Sequence, residues 1–244
     1  MQDILQELFP SQSVIFIVSP LSVFCIFLFL FCSGKLKLTF NITTNYTRKL
    51  FHILVFSVAG IIGYLFGFKA VMLYGGITGL IMIFVIWLGE GNILYEGIGR
   101  EQDIPHRSFY IGVPFISTAI AGLINNYLFI ELALVGYLVA GWGDAIGEPV
   151  GVRFGKHRYR VPSLRNVQCT RSIEGSLAIM GMSIFGTIVA LFLIGDIPLE
   201  MIILAGVITG LATAAIEAFS PHGIDNFTTQ VASAAICFGI VNVF

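Results

Sequence analysis

The sequence predicts an all-α fold, a polytopic transmembrane bundle of about eight helices (seven to nine), and three observations point there. Hydrophobic residues make up 57% and charged residues 11% of the 244, and the mean hydropathy is +0.92, unlike a soluble domain. Apolar stretches able to cross roughly 30 Å of hydrocarbon, about 20 helical residues each, recur along the whole chain. Runs such as VIFIVSPLSVFCIFLFLF are apolar on every face, whereas strands of a β-barrel would alternate.

The stretches lie near residues 12–32, 50–67, 70–89, 108–124, 127–142, 173–194, 198–219 and 226–244. They leave no room for a soluble domain, so a single integral membrane domain over 1–244 is expected, with an anchor helix and basic loop over 1–49 and a core over 50–244. Asp3 and Glu7 precede the first stretch in place of a basic segment, and no small-residue cleavage site follows it. It therefore reads as an anchor and not as a signal peptide. In the third, Gly75, Gly76 and Gly79 fit close helix packing. Asn125–Asn126 and the segment from Gly195 to Leu199 are short enough to be turns. Cys25, Cys32, Cys169 and Cys237 form no CxxC pair and read as small buried hydrophobes.

Charge gives the orientation. With the N-terminus outside, loops 33–49, 90–107, 143–172 and 220–225 become cytoplasmic and carry every Lys and Arg except Lys69, which satisfies the positive-inside rule. Function is then expected on the cytoplasmic face, in a plasma membrane if the source is prokaryotic and otherwise in an endoplasmic reticulum or plastid membrane. The sequons at Asn41 and Asn45 fall on that face and are discounted. Glu90, Glu96, Glu101 and Asp103 read as a solvated loop face.

The longest loop and its flanks read GWGDAIGEPVGVRFGKHRYRVPSLRNVQCTRSIEGSLA: acids, then glycines, then a basic cluster, then an acid at a helix mouth. Asp144, Glu148, Gly151 and Gly155 share a face if the fifth helix continues past the membrane, with Pro149 bending it or marking a new start. Glycines let a phosphate approach the backbone, and carboxylates beside them can hold Mg²⁺ or another divalent cation. Lys156 and Arg171 would neutralise a nucleotide polyphosphate, and Ser172 could cap the sixth helix at an anion-binding N-terminus. Arg158, Arg160 and Arg165 are assigned to topology and anionic headgroups. GVRFGKH is no Walker A motif, since only three residues separate its glycines and His follows the Lys.

Three segments together resemble the polyprenol kinases, a family that includes dolichol kinase, phytol kinase and the CTP-dependent diacylglycerol kinase. The first is the ordered set Asp144, Gly151, Gly155, Lys156, Arg171, Ser172, Glu174 and Gly175. The second is RKLFH from Arg48 to His52. The third is IEAFSPHGIDNFTTQ, which contributes Glu217, Asp225, Asn226 and Thr228. The match covers most of the chain after residue 45, although HRYRVPSLRNVQCT lengthens the gap between Lys156 and Arg171.

The resemblance implies transfer of a phosphoryl group from CTP, with Mg²⁺ or another divalent cation, to the hydroxyl of a membrane lipid: a polyprenol, a phytol-like alcohol or diacylglycerol. It implies catalytic roles for Asp144, Lys156, Arg171 and Glu174, and nucleotide contacts from Gly151, Gly155, Lys156, Arg171, Ser172 and Gly175. Metal would lie on Asp144, Glu148 and Asp225, and lipid or phosphate contacts on Arg48, Lys49, His52, Glu217 and Asn226. Asp144 could equally be a proton acceptor or a metal ligand. The bilayer is a partner and no nucleic acid is expected. A cytidylyltransferase joining CMP to a lipid phosphate is the neighbouring alternative. A transporter ranks below both, because no predicted helix centre carries an ionisable residue.

Overall fold

The computed structural model describes residues 9–165 and 168–243, which leaves Asp3 and Glu7 of the anchor reading outside the described residues. Among the described residues eight long helices carry the fold: α1 Gln12–Phe40, α2 Thr44–Phe66, α3 Phe68–Leu88, α5 Arg107–Leu128, α6 Ile130–Phe154, α7 Ile173–Ile194, α8 Leu199–Phe219 and α9 Asp225–Val243. A single turn, α4 Ile93–Glu96, lies between α3 and α5. All the long helices except α9 meet the length and apolarity required of a membrane span, as an integral membrane protein requires. Large apolar side chains face outward along them, among them Phe16 and Leu80 at 78% and 71% exposure. Trp87 near one end of α3 and Tyr64 and Tyr127 near the opposite ends of α2 and α5 are also exposed, the placement of interfacial aromatic anchors.

The helices run beyond the apolar stretches, which corrects two loops. Residues 33–49 are almost wholly helical: α1 continues to Phe40, Asn41 stops it in the left-handed conformation at φ 53°, and α2 begins at Thr44. Asn tolerates that conformation better than most residues. The loop 143–172 is likewise ordered, because α6 persists through Pro149 to Phe154. After it a β-hairpin forms, β1 Arg158–Val161 antiparallel to β2 Cys169–Ser172, with Tyr159 opposite Arg171. This hairpin is the departure from an all-α chain. Within α6, a 3₁₀ turn at Ile130–Leu132 leads into an α segment, and a π turn spans Val139–Gly143 immediately before Asp144.

Two apolar cores hold the bundle. One joins α1, α2 and α3 through Ile26, Leu30, Phe56, Tyr74 and Val85, and the other joins α6 to α7, α8 and α9 through Val135, Leu138, Leu191, Ala205 and Cys237. Of the four cysteines only Cys237 is buried, and Cys32 is exposed. Polar contacts tie the connections at one end of the bundle. Thr47 donates to the Gly97 carbonyl at 2.7 Å, Thr44 donates to Glu101 at 3.0 Å, and the His222 amide donates to the Pro162 carbonyl at 2.8 Å. The three connections that carry the basic residues thus meet on one face with the 220–225 connection.

The acids of the 90–107 segment are only partly a solvated face: the Glu90 and Glu101 side chains are 62% and 58% exposed, but Glu96 and Asp103 are not. Asp103 is 2% exposed, and Glu96 bonds Lys37 at 2.9 Å and Arg107 at 2.8 Å. Burial works against the Glu96 charge, yet bonds from Arg107, the Gly91 amide and Lys37 bring its pKa down to about 2. Arg107, through Glu96, Glu90 at 3.2 Å and the Gly99 carbonyl at 2.7 Å, fixes the segment against α5.

Candidate active site

On the gathered face, α2 and α6 bring together residues 95 positions apart. Lys49, 4% exposed, reaches Asp144 Oδ2 at 2.5 Å and Glu148 Oε2 at 3.2 Å. Arg48 Nη2 lies 2.6 Å from Glu148 Oε2, Arg100 Nη1 lies 3.6 Å from Glu148 Oε1, and His52 Nε2 lies 3.4 Å from Asp144 Oδ2. The four-residue spacing of Asp144 and Glu148 puts both on one face of α6, as expected, and the RK pair of α2 answers them. So many ion pairs at partly buried positions cost desolvation, which mutual pairing offsets.

A second cluster faces the first. Arg171, at the end of β2, sets Nε 2.7 Å from Glu217 Oε1 and Nη2 2.8 Å from Asp225 Oδ2, and Nη1 donates to the carbonyls of Ser220, at 2.9 Å, and Glu217. Burial opposes its charge, but Glu217 and Asp225 raise its pKa above the ordinary arginine value. A guanidinium suits this place because its fixed fork can satisfy a helix C-terminus and two carboxylates together. The Asp225 carbonyl receives the Thr228 and Thr229 hydroxyls at 3.0 and 2.8 Å. Ser172 caps α7 as expected, accepting from the Gly175 amide at 3.1 Å.

Buried His222 lies between the clusters, 3.7 Å from Asp103 Oδ1 and stacked on Tyr110 at 4.9 Å between ring centroids. Burial disfavours its charge, but the nearby Asp103 carboxylate, Cys169 and the field of Asp225 hold its pKa up at about 9.

Two cavities open on this arrangement. A polar one of about 270 Å³ is lined by Arg48, Lys49, Arg100, Arg158 and Arg171 together with Asp144, Glu148, Glu217, Asp225 and His222. An apolar one of about 410 Å³ extends among α2, α3 and α5 past Phe56, Tyr74, Met82, Phe115 and Leu123. Arg48, Lys49, Asp144, His222 and Asp225 line both. His52 and Asn226 line the apolar cavity, and Gly151, Ser172 and Gly175 line the polar one.

Three of the expected site residues fall elsewhere. Lys156 is exposed, and neither Lys156 nor Gly155 lines a cavity. Glu174 turns away to His157, 2.8 Å from its Nδ1, and lines neither cavity. The reason is that α6 ends at Phe154 and, from Gly155 on, the chain turns outward into the hairpin. Gly155 and Gly175 also serve packing first: a Cβ on Gly155 would sit 2.7 Å from Ser172 Oγ, and one on Gly175 2.9 Å from the Gly147 carbonyl. Arg158, assigned to topology, lines the polar cavity, whereas Arg165 lies over Phe109, 4.5 Å from the ring centroid. His222 and Arg100 were missed. His222 stands three residues before Asp225 in the third matching segment, and that nearness was its available signal.

Among the described residues no three His, Cys, Asp or Glu side chains are already gathered to ligate a metal. The oxygen donors nevertheless suit a hard divalent ion. Asp144, Glu217, Asp225, Asn226 and Thr229 border one small space of about 10 Å³, and the buried Glu217 Oε2 has no hydrogen-bond partner. Mg²⁺ typically takes one or two carboxylates and completes its shell with water and substrate phosphate.

Fold and site together define an integral membrane protein with a charged pocket joined to an apolar one. A phytol kinase from Synechocystis sp. (strain ATCC 27184 / PCC 6803 / Kazusa) is 34% identical to the chain over 146 residues, 59% of this chain and 57% of that protein. This similarity supports the resemblance to the polyprenol kinases. The chain spans less than two thirds of that relative's length. No family model and no solved structure matches the chain.

Proposed function

We propose that the protein is a lipid kinase that transfers the γ-phosphoryl group of CTP to the hydroxyl of a membrane isoprenoid alcohol of the phytol type. The observation that carries this reading is the pair of cavities sharing Arg48, Lys49, Asp144, His222 and Asp225. A kinase of this class must join a water-borne polyanion to an oil-borne alcohol, and one charged junction between a polar and an apolar pocket does that. The similarity to a phytol kinase supports the isoprenoid acceptor.

The nucleotide occupies the polar cavity, where Arg48, Lys49, Arg100, Arg158 and Arg171 offset its phosphate charge and orient the γ-phosphoryl group. The alcohol lies in the apolar cavity with its hydroxyl at Asp144. A divalent cation held by Asp144 and Asp225, with Glu217 beside them, would neutralise charge on the polyphosphate. As the hydroxyl oxygen bonds to phosphorus, the bond to the β,γ-bridging oxygen breaks, CDP leaves, and the hydroxyl proton passes to Asp144. An ion-paired carboxylate is a weak base, which suffices in a loose phosphoryl transition state where positioning and charge neutralisation dominate. The sided arrangement of Lys and Arg supports a cytoplasmic position for the gathered face, where nucleotide is found.

The test is incubation of the purified protein and Asp144→Asn with Mg²⁺, γ-labelled CTP and a panel of lipid alcohols and lipid phosphates. Label in a lipid alcohol, lost in Asp144→Asn, is expected. Pyrophosphate release with CMP-lipid formation would instead make the protein a cytidylyltransferase, and no turnover with any nucleotide would sink both readings.

A further inference from the structure

Close packing was the expected role of Gly75, Gly76 and Gly79, and the structure supports it only at the last. A Cβ on Gly79 would lie 3.0 Å from the Phe115 ring, but one on Gly75 or Gly76 would meet nothing within 4 Å. Two adjacent glycines in a helix interior disfavour the helix, and here no neighbouring backbone approaches them to justify it. What occupies that space is the apolar cavity, which Gly75, Gly76 and Gly79 all line.

The cavity is long. Along α5 it runs from Tyr110, which stacks on His222 at the charged junction, to Asn126. Sixteen residues of helix rise about 24 Å. A volume of about 410 Å³ spread over that length is an elongated space, with Phe115 set against Gly79 partway along it. Its side is open toward the bilayer between α3 and α5, where the lining residues Met72 and Leu123 are 37% and 52% exposed and Gly76 and Ala119 are exposed too. A ligand with a single long hydrocarbon chain and a polar head fits that shape, with the head at Asp144.

We propose that Gly75 and Gly76 form the floor of a slot for one linear isoprenoid chain, and that they set the longest acceptor the protein takes. This rests on the kinase reading of the site. The chain slides in sideways between α3 and α5, passes Gly79 beside Phe115, and reaches the glycine pair only when it is long. A Cβ at 75 or 76 meets nothing within 4 Å, so side chains there extend into the slot.

The experiment measures kcat/KM of the full chain in lipid nanodiscs with isoprenoid alcohols of ten, fifteen and twenty carbons and with diacylglycerol. It compares wild type, Gly75→Phe and Gly76→Phe, with Leu80→Phe as a control that adds the same bulk on the lipid-facing side of α3. A photoreactive twenty-carbon alcohol, mapped by mass spectrometry, reads occupancy without turnover. The expected result is a loss of about tenfold or more on the twenty-carbon alcohol in the glycine variants. The ten-carbon alcohol and the control should be unchanged, labelling of α3 and α5 by the photoreactive alcohol should be lost, and diacylglycerol should be a poor acceptor throughout. If wild type phosphorylates no alcohol, the kinase reading fails. If wild type is active but the glycine variants keep its chain-length profile, or lose all lengths equally, the glycine pair does not set acceptor length and the proposal is overturned.

Discussion

Replacing Lys49 by Met removes the cation that faces both Asp144 and Glu148 while keeping most of the side chain's apolar bulk. Breaking a buried ion pair from one side costs about 3–5 kcal/mol, because the remaining charge is left uncompensated. The lower end applies here. The carboxylates keep 20% and 17% side-chain exposure, Arg48 still holds Glu148 at 2.6 Å, and His52 still faces Asp144 at 3.4 Å. A loss of about 3 kcal/mol corresponds to a fall of roughly 6–12 °C in unfolding midpoint for a chain of this size. The assay is thermal unfolding in detergent micelles followed by intrinsic fluorescence, on Lys49→Met, Asp144→Asn and the double variant. Neutralising Asp144 as well should restore part of the loss, since the two groups interact directly. A midpoint for Lys49→Met within about 1 °C of wild type, or strictly additive losses in the double variant, would refute the account of Lys49 as the electrostatic keystone of the site.

Lys156→Ala should change kcat/KM by no more than about twofold, as an exposed side chain outside both cavities permits; a loss of a hundredfold would restore Lys156 to the catalytic set. For His222, the folded pKa of about 9 exceeds the ordinary 6.5, so the native state holds the extra proton. Its stabilisation is complete below pH 6.5 and is lost as pH rises through about 9. Wild-type unfolding midpoints should therefore fall across that window and His222→Gln should flatten the profile; parallel profiles would dismiss the His222–Asp103 pair.

The fold was legible because hydropathy in a membrane protein is nearly a direct record of which residues meet lipid. What hydropathy does not record is helix beyond the membrane. LKLTF and DAIGEPVGVRF are too polar or too short to register as spans, yet both continue a helix. The hairpin was hidden for a related reason, since RYRV and CTRS read as a basic loop until they pair. In the candidate site, Asp144 and Glu148, fixed by short-range spacing on one helix, line the polar cavity together with Arg171 and Asp225. Lys156 was misplaced because linear adjacency to Gly155 does not reveal that the chain turns away there. His222 required knowing that Tyr110 and Asp103, over a hundred residues earlier, would lie against it.

The π turn at Val139–Gly143 changes the phase of α6 partway along its length. Widening one turn is equivalent to inserting one residue, which rotates everything downstream by about 100° relative to a continuous α-helix. Upstream of it, Val135 and Leu138 look toward the apolar core shared with α7 and α9. Downstream, Asp144 and Glu148 look toward Arg48 and Lys49 of α2. One rod thus addresses oil on one azimuth and charge on another, and deleting a single residue anywhere in those five would turn the carboxylates out of register with their cations while leaving the composition of the helix almost untouched.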